Sequence, residues 1–405
     1  MATARQYVQQ PSARDLAIAV ATITSEKTNA QVLEVFTKHR ELISLPVLES
    51  ERPMGLISRN IFMSQMSKPY YRELYEKKTC IAFMDKDPLI ASADTPIETL
   101  AALAVESGDK TLADGFLIVE NDGTFVGLGS GLDLMEMMVD LQTEKNRQVM
   151  QSIDYASTIQ RAMLSVSRGA MTSAVSDACL VWEPRDVVGG DFYHFESFEG
   201  GWFAAVADCT GHGVPGAFLT LIASSALTQA LNQHGPRNPA KLLGEVNRSM
   251  KQALGQHSTA QRLSESDDGM DAAFFWFDSA THNLTCANAK TPLFVLMPGQ
   301  DKVQMVEGGR TGLGYVDTAH DMAWKNNIVQ LVPGAIVLST TDGIIDQIGG
   351  ARNIAFGKQR LRDALIRHRG LAMPALAETL MREQREYQGR HSRRDDLTFF
   401  GFRLD

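Results

Sequence analysis

An α/β protein of two modules joined by one long helix is written into this 405-residue chain. Three patterns say so. The first part of the chain repeats a unit of strand, helix, strand and glycine-led strand, while residues 132–164 contain neither proline nor glycine. The remainder holds short apolar runs that end at an Asp beside a Gly.

In the first repeat unit the segments are 32–36, 44–48 and 52–58; in the second they are 95–100, 115–119 and 122–130. Thr95 and Glu98 have the spacing of a capping box, and Pro96 falls at the favoured first helical position, so a helix is predicted to begin there. The segment 132–164 is rich in good helix formers and reads as one helix. Its apolar residues Met135, Val139, Val149, Ile153, Ala156 and Met163 are spaced by three, four or sums of these, and Gln142, Asn146 and Gln160 interrupt the seam. Such a seam suits a marginal coiled coil with two registers, a device for switching, and predicts a homodimer.

In the second module, 202–207 reads as a buried strand running into Asp208, and Asp191 follows Gly189-Gly190. Asp342 ends another apolar run and precedes Gly343, and the pair Asp395-Asp396 opens the terminal strand 397–402. Glycine permits the tight turns and close approach of a ligand that a larger residue would block. Hard divalent cations take oxygen ligands, and a two-ion site needs several carboxylates for charge balance. Residues 214–256 read as two helices parted near 235–239, with Leu219, Leu221, Ile222, Leu227 and Leu231 covering a sheet face. Residues 257–270 read as an exposed loop, and Asp271, ahead of strand 272–277, as a turn or edge residue in preference to one that approaches the cations.

A composition of 44% hydrophobic and 21% charged residues supports modules with sizeable cores, and a net charge of −9 without any basic run argues against nucleic acid. Cys80, Cys179, Cys209 and Cys286 are scattered, which disfavours disulfides and zinc and predicts core or turn positions in a reducing cytoplasm. The first twenty residues include Arg5, Arg14 and Asp15 with no signal-peptide core, and no apolar run approaches a membrane span. A cytoplasmic protein without membrane association is expected.

Six pieces in order carry a family resemblance: 155–164, 188–193, 208–217, 341–344, Phe356-Gly357 with Arg360-Leu361, and 395–398. They resemble the metal-dependent (PPM, type 2C-like) serine/threonine phosphatases, in the bacterial SpoIIE-type sporulation and stress-response branch. The resemblance implies an α-β-β-α sandwich over 169–405. It implies two divalent cations, Mn²⁺ or Mg²⁺, held by Asp191, Asp208, Asp342, Asp395 and the Cys209 carbonyl, with Asp208 bridging and Asp396 supporting the turn. A water between two such ions attacks a phosphoserine or phosphothreonine phosphorus in line, so ligands rather than a nucleophilic side chain carry the reaction. Arg185 would hold the phosphate. His212, in Gly-His-Gly, would shape the turn after the ligand strand rather than act as a general acid. His194 and the segment 288–292 depart from the branch pattern, which bears on substrate preference. The partner the resemblance implies is a phosphoprotein of the STAS-type anti-sigma-factor antagonist class; a non-catalytic nucleotide-responsive adaptor and a small-molecule phosphatase are the alternatives.

The repeat resembles a tandem pair of CBS domains over 1–140, with units at about 15–75 and 78–140, followed by a helical linker over 132–168. The nucleotide-binding members contact the ribose of an adenine nucleotide through a Ser or Thr and an Asp three residues on, and a pair used only for dimerisation is the alternative. Ser130 and Asp133 fit that spacing, whereas Ile61 occupies the acidic position after Ser58.

Overall fold

The computed structural model describes residues 10–256 and 267–405, so most of the loop expected at 257–270 lies outside the described residues. The chain divides into two compact units, 1–149 and 150–405.

The first unit contains β1 (Ile23–Thr24), α1 (Asn29–Lys38), β2 (Ser44–Glu49), β3 (Arg52–Ser58), α2 (Arg59–Met66), α3 (Tyr71–Tyr75), β4 (Ile90–Ser92), α4 (Ile97–Glu106), α5 (Asp109–Asp114), β5 (Phe116–Val119) and β6 (Phe125–Gly129). The repeat is visible in the pairing. β1 is parallel to β2 and β2 antiparallel to β3; β4 is parallel to β5 and β5 antiparallel to β6. Parallel neighbours require a crossover, which α1 and α4 supply. Each sheet buries its own apolar set, Val32, Phe36, Leu45 and Ile57 in one, Ile97, Leu100, Phe116 and Ile118 in the other.

The helix predicted near residue 95 is present, but its cap is not the expected one. Pro96 is extended, with ψ 145°, so α4 starts one residue later and Thr95 lies outside its cap. Glu98 reaches forward to Lys145 at 2.7 Å instead of back to the helix start.

The long helix α6 (Gly131–Ala174) has 44 residues and runs ten beyond the uninterrupted stretch read from sequence. It passes through Gly169, where a Cβ would meet nothing within 4 Å; an exposed helical glycine costs only about 1 kcal/mol relative to Ala, too little to end so long a helix. Ser130 caps the helix. Its hydroxyl accepts the Asp133 N–H at 3.1 Å and donates to the Asp133 carboxylate at 2.6 Å. Met135, Val139 and Val149 of the apolar seam are exposed, whereas Gln160 is 3% exposed and points inward.

The second unit continues with β7 (Ala178–Glu183), β8 (Asp191–Phe198), β9 (Gly201–Cys209), α7 (Gly213–His234), α8 (Pro239–Ala253), β10 (Met270–Asp278), β11 (Asn283–Ala289), β12 (Leu293–Leu296), β13 (Gln304–Val306), β14 (Asn327–Gln330), β15 (Ile336–Thr340), β16 (Ile348–Gly349), β17 (Ile354–Ala355), α9 (Gly357–Arg367), α10 (Met373–Gln388) and β18 (Leu397–Arg403). Two five-stranded antiparallel sheets result, ordered β14-β11-β10-β9-β8 and β13-β12-β15-β18-β7. Between them Phe195, Trp202, Phe275 and Phe277 meet Phe400 and Phe402, with Trp202 and Phe402 centroids 4.9 Å apart. Aromatic pairs at such distances add about 0.5–1.5 kcal/mol each beyond their buried area. Helices α7 and α8 cover the first sheet, and α9 and α10 bury Leu361, Leu365, Met373 and Leu376 with Leu338 and Phe399 of the second. The layers are helix, sheet, sheet, helix.

By length and composition α7 could cross a membrane, contrary to the sequence expectation that no such run exists. It buries Leu219, Ala223, Leu227 and Leu231 in the core beside the first sheet. All four cysteines are buried and unbridged.

Candidate active site

Strand register gathers the acids. Asp191 of β8 pairs with Asp208 of β9, and Asp208 pairs with Asp271 of β10. Direct cross-strand partners project to the same face, about 4.5–5.5 Å apart at Cβ, so three carboxylates stand abreast. The second sheet contributes Asp342, two residues beyond β15, and Asp395, two residues before β18. The Asp342 carboxyl is in hydrogen-bond contact with Asp208.

Electrostatics report the crowding. Burial and then repulsion from Asp191, Asp342, Asp395 and Asp271 push the Asp208 carboxyl well above the usual range. Asp191 is pushed well up by burial, then by Asp396 and Asp342, and Asp342, at the solvent-exposed rim, is raised to about 6 by partial desolvation, then by Asp395. Asp208 is the acid that feels all four others. Asp191 is 1% exposed; Thr341 Oγ1 donates to its Oδ2 at 2.7 Å, and Trp182 Nε1 donates to its backbone carbonyl at 2.9 Å. Its Oδ1 has no hydrogen-bond partner.

Among the described residues no three His, Cys, Asp or Glu side chains close tightly enough to hold a metal ion as they stand. The donor set nonetheless fits hard divalent cations: it is all oxygen, enclosed, under mutual repulsion, and includes an unpartnered buried carboxylate oxygen.

The two acids of the 395–396 pair separate by direction. Asp396 is 2% exposed and accepts backbone N–H groups from Arg185 and Gly190, each at 2.5 Å. Asp395 accepts the Asp396 N–H at 2.9 Å and is the member that acts electrostatically on Asp208.

The loop ahead of Asp191 is clamped from α6. Gln160 donates to the Gly189 carbonyl at 2.8 Å and to Thr220 Oγ1 at 3.2 Å, and accepts the Gly189 N–H at 3.2 Å. A Cβ on Gly190 would lie 2.4 Å from the Gly211 carbonyl oxygen and 2.7 Å from that of Cys209, so only glycine lets the two loops meet. Sequence reading placed Gln160 as a polar break in a seam and within the matching piece 155–164, but without this role, because its partner Gly189 lies 29 residues away. Replacing Gln160 by Leu strands two buried backbone groups, at about 1–3 kcal/mol. We expect denaturant unfolding to give a lower midpoint by that amount, and unchanged stability would show the clamp to be idle.

The other candidates fall around this centre. The Arg185 guanidinium donates to the Arg394 carbonyl at 3.1 Å. His212, between Gly211 (φ +82°) and Gly213 (φ +64°), is held by Asp186 through Nδ1 at 2.6 Å. His194 meets Glu196 at 3.3 Å. Asp271 corrects the sequence reading: it is neither a turn nor an edge residue but belongs to a central strand in the acid row. Lys290, in the departing segment 288–292, has φ +60°, pairs with Asp271 at 3.1 Å, and lies 4.4 Å from the Tyr315 ring centroid. Ser130 and Asp133 belong to the first unit and are not part of this cluster.

A family model described as stage II sporulation protein E (SpoIIE) matches residues 199–405. The PP2C domain of SiaA from Pseudomonas aeruginosa is 37% identical, with 64% of this chain and 99% of that one covered and a TM-score of 0.57. The PP2C phosphatase domain of SpoIIE from Bacillus subtilis, solved with a fragment of its regulatory domain, is 18% identical over 56% of this chain and 61% of that one, TM-score 0.45. The RsbU and RsbW domains of a Mycobacterium tuberculosis protein are 18% identical over 56% and 60%, TM-score 0.43. No match was found among curated proteins. The two-sheet fold, its acid-lined centre and the 37% identical relative define a PP2C-type serine/threonine phosphatase. The chain belongs to the SpoIIE family.

Proposed function

We propose that the second unit hydrolyses phosphoserine or phosphothreonine on a signalling protein, with Asp191, Asp208, Asp342, Asp395 and the Cys209 carbonyl as the ligands of two divalent cations. The observation that carries this reading is the row Asp191, Asp208, Asp271, faced by Asp342 and Asp395 from the other sheet. When bound, Mn²⁺ or Mg²⁺ would supply an activated water and neutralise charge on the phosphoryl group. Asp208, between Asp191 and Asp271 in the row and raised by Asp342 and Asp395 as well, would be the bridging ligand. Asp191 is held for its task by Thr341 and Trp182, and Asp396 fixes the Gly189-Gly190 loop rather than serving as a ligand. Arg185, once freed from the Arg394 carbonyl, would orient the substrate phosphate. A STAS-type antagonist is our proposed protein substrate, on family grounds.

We read the first unit as a CBS-type pair that takes an adenine nucleotide and acts through α6 in a homodimer. Its repeated strand pairing supports this, as does a cavity of 420 Å³ bounded by Ile18, Val20, His39, Ile43, Leu128 and Ser130. The exposed seam of Met135, Val139 and Val149 offers the face for a second copy. One assay tests both parts: phosphate release from a phosphoserine peptide by the full chain with Mn²⁺, Mg²⁺ or EDTA, with and without AMP or ATP. Release that needs a divalent ion and shifts with nucleotide is expected. Ion-independent release would sink the two-cation reading, and indifference to nucleotide the regulatory one.

A further inference from the structure

A cavity of 580 Å³ lies beside the acid row, between the C-terminal part of α6 and the strands β7 and β8. Arg161, Arg168 and Arg393 line it, over a floor that includes Trp182 and Tyr193. Residues 161 and 168 are seven apart on one helix, so both guanidinium groups leave the same face. Neither has a carboxylate partner among the described residues; Arg168 reaches the Tyr193 phenol.

The acids that share this cavity are already engaged. Glu183 takes Arg385 at 2.7 Å and Arg393 at 2.5 Å, and Asp186 takes His212 at 2.6 Å. Three guanidinium groups therefore face two committed carboxylates, in a chain whose net charge is −9. The cavity is one residue away from the reaction centre, because Trp182, which lines it, also bonds the Asp191 carbonyl.

We infer that this cavity is a docking subsite for carboxylate side chains of the substrate polypeptide, next to the residue that is dephosphorylated. The chemistry is specific in kind. A guanidinium presents a planar fork that matches a carboxylate, and an uncommitted pair on one helix face can receive two acidic residues of a passing segment. The subsite also resolves a difficulty of charge: a strongly acidic protein repels anionic partners at long range, and a local basic pocket recovers the encounter beside the site. This inference rests on the protein-substrate reading above, and its test is arranged so that the two can fail separately.

The full-length chain is compared with its Arg161→Glu/Arg168→Glu variant; both residues are exposed, and an Arg161→Gln/Arg168→Gln variant serves as the milder form. The first measurement is binding of a fluorescent, unphosphorylated acidic peptide by anisotropy, which requires no chemistry. Loss of two charge-assisted contacts should weaken binding by about tenfold or more, with the Gln variant between. Equal binding by wild type and the Glu variant would overturn the subsite. The second is kcat/KM for two phosphoserine peptides with acidic or neutral flanks. Wild type should favour the acidic flank through KM, and the Glu variant should lose that preference with p-nitrophenyl phosphate turnover unchanged. A parallel loss on p-nitrophenyl phosphate would assign the arginines a structural role and overturn the proposal. Arginine-dependent peptide binding with no turnover of either phosphopeptide would remove the protein-substrate reading and leave the subsite standing.

Discussion

Asp208→Asn should abolish phosphatase activity and yet raise the melting temperature of the ion-free protein at neutral pH. The two effects share one cause. Asp208 is enclosed among Asp191, Asp342, Asp395 and Asp271, so its ionised form is opposed by burial and by four neighbours. Removing the charge while keeping the shape relieves that opposition, by about 1–3 kcal/mol, the usual scale for an uncompensated buried polar group. As proposed bridging ligand, the same residue sits where several kcal/mol of transition-state charge stabilisation would originate, so kcat should fall roughly a thousandfold or more. Calorimetry in EDTA and phosphate release with Mn²⁺ read the two arms. A variant less stable than wild type in EDTA would mean that the acids are not in net repulsion, and retained turnover would remove Asp208 from the mechanism.

The second large effect is a pH dependence opposite to that of ordinary acid unfolding. Asp191, Asp208 and Asp342 all have folded-state values raised above the unfolded one. A raised acid binds its proton more tightly in the folded state. Its stabilisation is therefore fully present below the unfolded value of 3.8 and is lost as pH rises through the folded value, about 6 for Asp342 and higher-lying in direction for the buried pair. Asp342 stands at the exposed rim, where solvent screening reduces its share, and Asp191 at 1% exposure carries more. The ion-free protein should melt higher at pH 5.5 than at pH 8. Mn²⁺ should reverse the order, because cations compensate the ionised carboxylates and bind better once these have lost their protons. A melting temperature in EDTA that climbs steadily from pH 5.5 to 8 would contradict this account.

Which parts of the site could be read from sequence follows from where the information sits. Asp191, Asp208, Asp342 and Asp395 are each announced locally, by an apolar run and an adjacent glycine or paired acid, and the structure brings all four into one neighbourhood. Asp271 carries no such flag. It lies inside a strand, and its membership of the row comes from pairing with Asp208, a fact of register that no short window contains. Gln160 was hidden for a related reason, since its partners lie in a loop and in another helix. At Thr95 the capping-box spacing gave the right helix and the wrong cap, because the extended Pro96 decided where the helical turn begins. The repeat in the first unit was legible because each half corroborates the other, whereas the direction of its strand pairing came only with the structure.

The hairpin between β8 and β9 turns at Glu199-Gly200, with Gly200 at φ +85° and Phe198 facing Gly201. Side chains alternate faces with a period of two, so inserting or deleting a single residue between that turn and Asp208 would send its carboxylate into the opposite layer while leaving every acid present in the sequence. The length of this hairpin is thus as heritable a requirement as the acids themselves: a lineage can lose the reaction by a change of spacing that an inventory of ligands would not detect.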